Sequence, residues 1–295
     1  MGAASDNTNL GVCFLANQLY YAVYNSTPDQ NRNGAPKAIR RIGSIDFSFN
    51  VEKAIRFHES DHFPGIRASF QQLKQQFMVN QLRMVIPPIH ECWTTLPKLV
   101  YDKSDERDAH LAILMKGVDR KNIEPYWFSV SNQDYKFLVV RNKEFLQGYN
   151  QIASLFNKSE FLSDFELGQR WEQHSRVRGS YLTVSCYRNV LCVSSFLLGK
   201  FRSATYIPFD EMDDLPYLWL QYANNLQWMQ GLHETIYVYG WRAYQVIDTL
   251  KPFWDDASYV QKMDSLAKIG VSAEEETYGF SLDHAFPALM LALDL

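Results

Sequence analysis

Two clusters of titratable side chains are the first candidates for chemistry. In His58-Glu59-Ser60-Asp61-His62, two histidines four residues apart flank two carboxylates, a spacing that could hold a metal ion on a helix. The segment lacks the H-E-x-x-H order, and Phe63-Pro64 follows directly, so a solvated polar loop is the favoured interpretation. The carboxylates of 210–214 could coordinate Mg²⁺ or Ca²⁺, but the glycine and final glutamate of a calcium loop are missing. Capping of the next helix by Asp213 or Asp214 is therefore preferred.

Composition narrows the classes of function. The chain has 295 residues, a length typical of two domains, and 46% of them are hydrophobic. The net charge of −4 and the lack of a long basic run disfavour nucleic acid as a partner. No apolar run reaches the ~18 residues of a membrane span, and the first residues do not form a secretory signal pattern. The sequence motifs of P-loop, dinucleotide-binding and nucleophile-elbow enzymes are also absent.

The cysteines point to a reducing compartment. Cys13, Cys92, Cys186 and Cys192 form no C-x-x-C pair. Three of them lie inside apolar strand patterns, where a buried free thiol is the usual occupant. The sequence therefore predicts free thiols rather than disulfides.

Two stretches share one order of strand, turn, strand, turn and strand. Residues 10–47 and 181–208 each contain three apolar runs separated by polar turns, about 170 residues apart. Such runs are typical of an antiparallel meander. A helix pattern follows each meander; the first carries Ile66, Phe70, Leu73 and Phe77 at the helical period. We expect two sheets in two related domains.

The middle of the chain interrupts this order. We expect residues about 90–140 to form a small inserted α+β lobe, and a helix to begin at Asn142. A last apolar segment, 283–295, predicts a packed C-terminal helix. The division that follows is a first domain at 1–175 and a second at 176–295, with the C-terminal helix able to pack back on the first. The strands predicted around and within the lobe are 81–86, 109–115, 125–130 and 135–140.

This order of elements resembles the actin-like ATPase superfamily, and within it the bacterial branch that contains FtsA and PilM. It is most similar to an uncharacterised bacterial domain family assigned to that branch. The resemblance implies a mixed α/β, two-domain actin-like (ribonuclease H-like) fold with an inserted α+β subdomain in the first domain. The segments that carry it are 10–24, Trp93-Thr94-Thr95-Leu96-Pro97, Tyr181-Leu182-Thr183-Val184 and Asp214-Leu215-Pro216-Tyr217-Leu218.

The turns that bind nucleotide in this superfamily depart from its pattern. Working members carry D-x-G in the turn of each meander, where glycine admits the phosphates and the carboxylate organises Mg²⁺. Here the first turn contains Asn17 and Gln18, and the second contains Arg188 and Asn189, without Asp or Gly in either. The adenosine-side strand keeps only Gly240, followed by a bulky Trp. We therefore expect a vestigial cleft with no catalytic residue, no metal and no cofactor, with ATP and Mg²⁺ as the alternative. Whether the polar turn residues bind another anion or are ordinary turn residues stays open.

The resemblance implies a non-catalytic adaptor. PilM-like proteins are scaffolds of pilus or secretion machinery at the inner membrane, and they hold a partner's peptide in a groove. If this role carries over, the chain is cytoplasmic, in solution or peripheral at the inner membrane, and binds a protein or peptide partner against the inserted lobe. Two other classes stay open: a divergent ATPase or sugar-kinase-like enzyme, and a sensor that binds a small ligand in the interdomain cleft.

Overall fold

The computed structural model describes residues 7–26, 37–130, 133–174, 177–231, 233–253, 259–274 and 281–293. Over these residues the chain forms a mixed α/β structure with three separate β-sheets. None of the helices in this part of the chain combines the length and the apolar character needed to cross a bilayer.

The first sheet contains the antiparallel meander near the start of the chain. Its strands are β1 (Asn7–Leu15), β2 (Gln18–Ser26), β3 (Lys37–Asp46), β4 (Gln81–Val85), β8 (Lys158–Leu162) and β14 (Val271–Ala273). β1, β2 and β3 pair antiparallel in sequence. β4 then adds parallel to β1 and β8 parallel to β4, while β14 adds parallel to β3 on the other edge.

The second sheet repeats this plan. Its strands are β9 (Tyr181–Cys186), β10 (Val190–Leu197), β11 (Lys200–Pro208), β12 (Thr235–Gly240) and β13 (Val260–Lys262). The first three form an antiparallel meander, and β12 and β13 add parallel beyond β9. The two meanders lie in separate sheets, so the prediction of two sheets of related build is confirmed.

Alternating side chains divide each sheet between an outer and an inner core. Leu10, Val12 and Phe14 of β1 pack with the outer helices, whereas Cys13 and Leu15 face the space between the sheets. The outer helices of the first domain are α1 (Val51–Arg56), α2 (Phe63–Phe77) and α5 (Lys143–Ala153), and those of the second are α7 (Leu215–Asn225) and α8 (Ala243–Leu250). The apolar face predicted for α2 is buried as expected.

The inserted lobe is a sheet of its own. Its elements are β5 (Glu91–Pro97), α3 (Lys98–Tyr101), α4 (Ser104–Leu114), β6 (Ile123–Ser129) and β7 (Tyr135–Asn142). The strands pair in the order β5-β7-β6 and join neither large sheet, so the predicted lobe is confirmed.

One predicted strand of the lobe is wrong. The segment 109–115 lies mostly in α4 rather than in a strand. Asp105 and Glu106 lie in the first turn of this helix, where acidic side chains suit the helix dipole. Leu111 packs on the small core of the lobe while Ile113 stays exposed, which is a helical and not an alternating pattern.

Two helices, α6 (Asp164–His174) and α9 (Leu282–Ala292), fill the space between the sheets. The predicted domain boundary at 175–176 stays a prediction. β14, near the end of the chain, pairs with β3 of the first sheet. α9 contacts β1, β2 and β4 of the first sheet and also β12 of the second.

The C-terminal half of α9 is fully buried. Residues 288–293 have no exposed surface. Its C-terminal carbonyl groups, which have no partner inside the helix, accept hydrogen bonds from two arginines. Arg170 of α6, itself 1% exposed, donates to the carbonyl of Leu293 at 2.8 Å, and Arg83 of β4 donates to that of Leu291 at 3.4 Å. Positive charge at a helix C-terminus is also stabilising, so these arginines stabilise α9 both by their hydrogen bonds and by their charge.

The contact of α9 with β1 requires a glycine. A Cβ at Gly11 would lie 2.0 Å from the carbonyl oxygen of Ala288 and 2.5 Å from the amide nitrogen of Ala292. Because both atoms belong to helix backbone, neither can move aside. We expect Gly11→Ala to lower the free energy of unfolding in urea by about 1–3 kcal/mol, the usual cost of overpacking.

Gly65→Ala is the matched control, because a Cβ there meets nothing within 4 Å. It should leave stability unchanged or raise it by up to about 1 kcal/mol, since alanine is the better helix former. Equal unfolding free energies for the two variants would contradict the close approach of α9 to β1.

Candidate functional site

A cavity of about 640 Å³ opens between the two domains. α1 and the turn Pro88–His90, which follows β4, line it from the first domain. The turn between β9 and β10 and the residues after β12 line it from the second. The carboxyl ends of parallel strands are where open α/β sheets bind ligands, so this cavity is the candidate functional site. We call it the interdomain cleft.

The turn between β1 and β2 is occupied by a side chain of the protein itself. Asn50 caps α1 by accepting a hydrogen bond from the backbone N–H of Lys53 at 2.8 Å, and the N–H of Val51 donates to the carbonyl of Ala16 at 2.8 Å. These contacts place Glu52 against the turn, where its carboxylate accepts a hydrogen bond from the N–H of Ala16. Burial raises the pKa of Glu52 to about 7, and the Ala16 hydrogen bond and the charge of Arg188 oppose that shift. A backbone donor that could serve an anionic ligand is thus bound to a carboxyl group.

The turn between β9 and β10 is filled from inside. Tyr187 is 5% exposed, and its hydroxyl donates to the carboxylate of Asp164 at the start of α6. Ser185 donates to the same carboxylate oxygen at 3.2 Å. Burial raises the pKa of Asp164, while its hydrogen bonds with Cys192, Tyr187 and Ser185 lower it. The Asp164 carboxylate is therefore bonded to side chains of the core, and it does not line the interdomain cleft.

The end of β12 approaches β9 closely. Gly240 has φ +98°, and a Cβ on it would lie 2.5 Å from the carbonyl oxygen of Cys186. The N–H of Trp241 donates to that same oxygen at 2.8 Å. The indole of Trp241 lines the interdomain cleft, and the guanidinium of Arg242 lies 4.2 Å from the centre of its ring. Gly240 therefore allows the close contact between β12 and β9, and Trp241 forms part of the wall of the interdomain cleft.

The structure brings together only part of the predicted site. Of the residues predicted for the vestigial cleft, Arg188 and Asn189 line the interdomain cleft. Asn17 is exposed and bonds the carbonyl of Phe47, while Gln18 donates to Asp46 at 2.6 Å and accepts from Tyr20. Neither of these two lines the interdomain cleft, nor does Gly240, which lies behind Trp241.

Three residues of the site do not emerge from sequence patterns. Glu52, Arg56 and His90 come from two segments without clear periodicity, 52–62 and the turn after Pro87-Pro88. The sequence indicates only a helix start here, because Asn50 stands two residues before the acidic Glu52. Their meeting with the second domain is a tertiary contact that no local pattern contains.

The titratable clusters at 58–62 and 210–214 make contacts within the fold. His58 bonds Gln151 at 2.8 Å, and His62 stacks on Phe49 with ring centroids 4.0 Å apart. Glu211 and Asp214 form a reciprocal capping box at a short helical turn before α7. Asp214 is the N-cap residue of α7 but makes no side-chain cap bond to it. In the part of the chain that the structure describes, no three histidine, cysteine or carboxylate groups are placed to hold a metal ion.

The fold matches solved structures although the sequence matches no family model and no curated protein. A Bacteroides thetaiotaomicron protein with an actin-like ATPase fold and unknown function aligns over 88% of this chain and 91% of its own, with a TM-score of 0.55 and 13% identity. The chain has the actin-like ATPase fold. A chain of the PilM–PilN type IV pilus biogenesis complex aligns over 96% and 97%, with a TM-score of 0.64 and 10% identity. The cytoplasmic domain of EpsL, an inner membrane component of the type II secretion system of Vibrio cholerae, aligns over 98% and 97%, with a TM-score of 0.50 and 9% identity. The structural likeness to these two proteins extends over nearly the whole chain.

The raised pKa of Glu52 predicts a pH dependence of stability. The folded protein binds this proton more tightly than the unfolded chain, so wild-type stability falls as pH rises from about 4.5 to about 7. The loss is at most about 3 kcal/mol, and smaller because the interdomain cleft admits water. Glu52→Gln should remove this loss and be the more stable protein at pH 7.

Urea unfolding at pH 4.5, 6 and 7.5 measures the effect, with the exposed Glu124→Gln as control. The control should follow the wild-type pH profile. If Glu52→Gln follows it as well, the carboxyl group does not titrate between the folded and unfolded states as described.

Proposed function

We propose that this protein is a non-catalytic actin-like scaffold that binds a protein or peptide partner. One observation carries the proposal: both turns that would bind phosphate are used by the protein's own side chains. Glu52 takes the N–H of Ala16, and Tyr187 directs Asp164 into the core. A divergent ATPase would need free backbone donors and carboxylates facing Mg²⁺ at these turns.

The structural neighbours suggest the kind of partner. One was solved in the PilM–PilN complex, and another is a cytoplasmic domain of an inner-membrane secretion component. By analogy, we propose that this chain acts on the cytoplasmic side of a PilM-like assembly, in solution or peripheral to the membrane. Function depends on the surface residues that a fold carries, so the partner surface follows from this chain's own side chains.

The inserted lobe presents the best surface for a partner. Leu99 of α3 is 81% exposed and Ile113 of α4 is 76% exposed. Val118, which follows α4, is 47% exposed. The small core of the lobe lies under the other side of α4. These exposed side chains are therefore not part of that core. These side chains belong to the neighbouring elements α3 and α4 and to the segment after α4. Exposed apolar patches are typical of protein contact sites.

Capture of partners from the source cell, followed by mass spectrometry and titration of the purified partner, tests this surface. We expect the double variant Leu99→Glu/Ile113→Glu to bind the partner at least about tenfold more weakly, because hot-spot truncations cost about 2 kcal/mol or more. Binding should not require Mg-ATP.

Leu220→Glu is the matched control, since this leucine is 45% exposed on α7 of the second domain. It should bind like the wild type. A partner captured equally well by the lobe double variant would contradict the surface. A partner that binds only with hydrolysable ATP would contradict the non-catalytic role.

A further inference from the structure

The interdomain cleft gathers positive charge from both domains. Lys53 and Arg56 of α1, Arg188 of the β9–β10 turn and Arg242 after β12 all line it. Among the residues the structure describes, none of these four cations has a carboxylate oxygen within 4.0 Å. Their mutual repulsion opposes the approach of the two domains.

The carboxylates of the interdomain cleft do not balance these cations. Glu52 is turned to the N–H of Ala16, and its pKa of about 7 leaves it only partly charged at neutral pH. Glu211 is engaged in the capping box with Asp214. Asp210 at the exposed rim is the third carboxylate on the wall. The site is therefore electropositive.

Two buried nitrogen atoms of this wall make no hydrogen bond to the residues that the structure describes. His90 is 8% exposed, and its Nδ1 makes no hydrogen bond within the described chain. The same is true of Nε of Arg56, whose guanidinium lies 4.2 Å from the ring centre of Phe145. Burial and the neighbouring Arg56 lower the pKa of His90 to about 4, so its ring is neutral at pH 7. Buried polar atoms without a partner cost stability.

We propose that the interdomain cleft binds a small organic anion, a carboxylate or phosphate compound held without a metal ion by Arg56, Arg188 and Arg242. Guanidinium groups suit both kinds of anion because their donors form a planar fork. The half-buried indole of Trp241 and the side chain of Phe209 provide apolar walls for the carbon skeleton. This site goes beyond the proposed partner role and is separate from the lobe surface.

The geometry argues against a nucleoside triphosphate as this ligand. The N–H of Ala16 is bound by Glu52, and Asp164 faces the core, so neither phosphate donors nor metal-binding carboxylates are offered at the turns. The cations instead lie on opposite sides of the interdomain cleft. An anion bound between Arg56 and Arg188 would join the two domains and offset the repulsion across the opening.

Calorimetric titration of the full chain with citrate, inorganic phosphate and Mg-ATP tests the proposal. Citrate or phosphate should bind with a Kd of about 1 mM or lower. The titration should therefore approach saturation at a ligand concentration of about 10 mM. Arg188→Gln and Arg242→Gln should each weaken that binding about tenfold, the loss of one charge-assisted hydrogen bond. Arg120→Gln, an equally exposed arginine of the lobe, should bind like the wild type.

Thermal unfolding of each variant without ligand confirms that it is folded. The proposal is overturned if neither citrate nor phosphate binds, or if Arg188→Gln and Arg242→Gln bind as tightly as Arg120→Gln. Mg-ATP binding more tightly than both probes would also overturn it, because the site would then be a nucleotide site.

Discussion

The close packing of α9 between the two sheets is the constraint on which the structure depends. This helix contacts strands of both sheets, and its last six described residues, 288–293, have no exposed surface. Gly11 lets β1 approach it, and Arg170 satisfies carbonyl groups that would otherwise be buried without partners. A helix enclosed in this way cannot slide without breaking contacts on both sides. The relative position of the sheets, and hence the interdomain cleft, follows from it.

A second buried contact attaches the inserted lobe to the same frame. Glu91 of β5 pairs with Arg141 of β7 at 2.8 Å and accepts hydrogen bonds from Ser163 and Tyr206, each at 2.8 Å. These partners belong to the lobe, to the start of α6 and to the second sheet. Removing one member of such a buried group is costly, because the others keep unpaired charge or polar atoms. The lobe is thus tied to both domains while its α3–α4 side stays exposed.

The sequence predicts most of the fold because its strands are long and apolar and α2 keeps a clear helical period. It fails at 109–115, where a short apolar run fits a helix as well as a strand. It does not predict β14, because three residues carry no information about their partner strand. At the site, Arg188 and Asn189 are predictable from the turn they occupy. Glu52 and His90 are not predictable in this way. Glu52 acts through its contact with Ala16 and His90 lines the cavity, and both arrangements exist only in the folded chain.

The central claim is that Glu52 holds the position at the β1–β2 turn that would serve an anionic ligand. Residue-resolved amide hydrogen exchange at Ala16 tests it most directly. Slow exchange is expected in the ligand-free protein, faster exchange in Glu52→Ala, and no change in the wild type on adding Mg-ATP, because the N–H already has its acceptor. Fast exchange in the ligand-free protein that slows when Mg-ATP is added would contradict the account, since the turn would then be open and would bind the nucleotide.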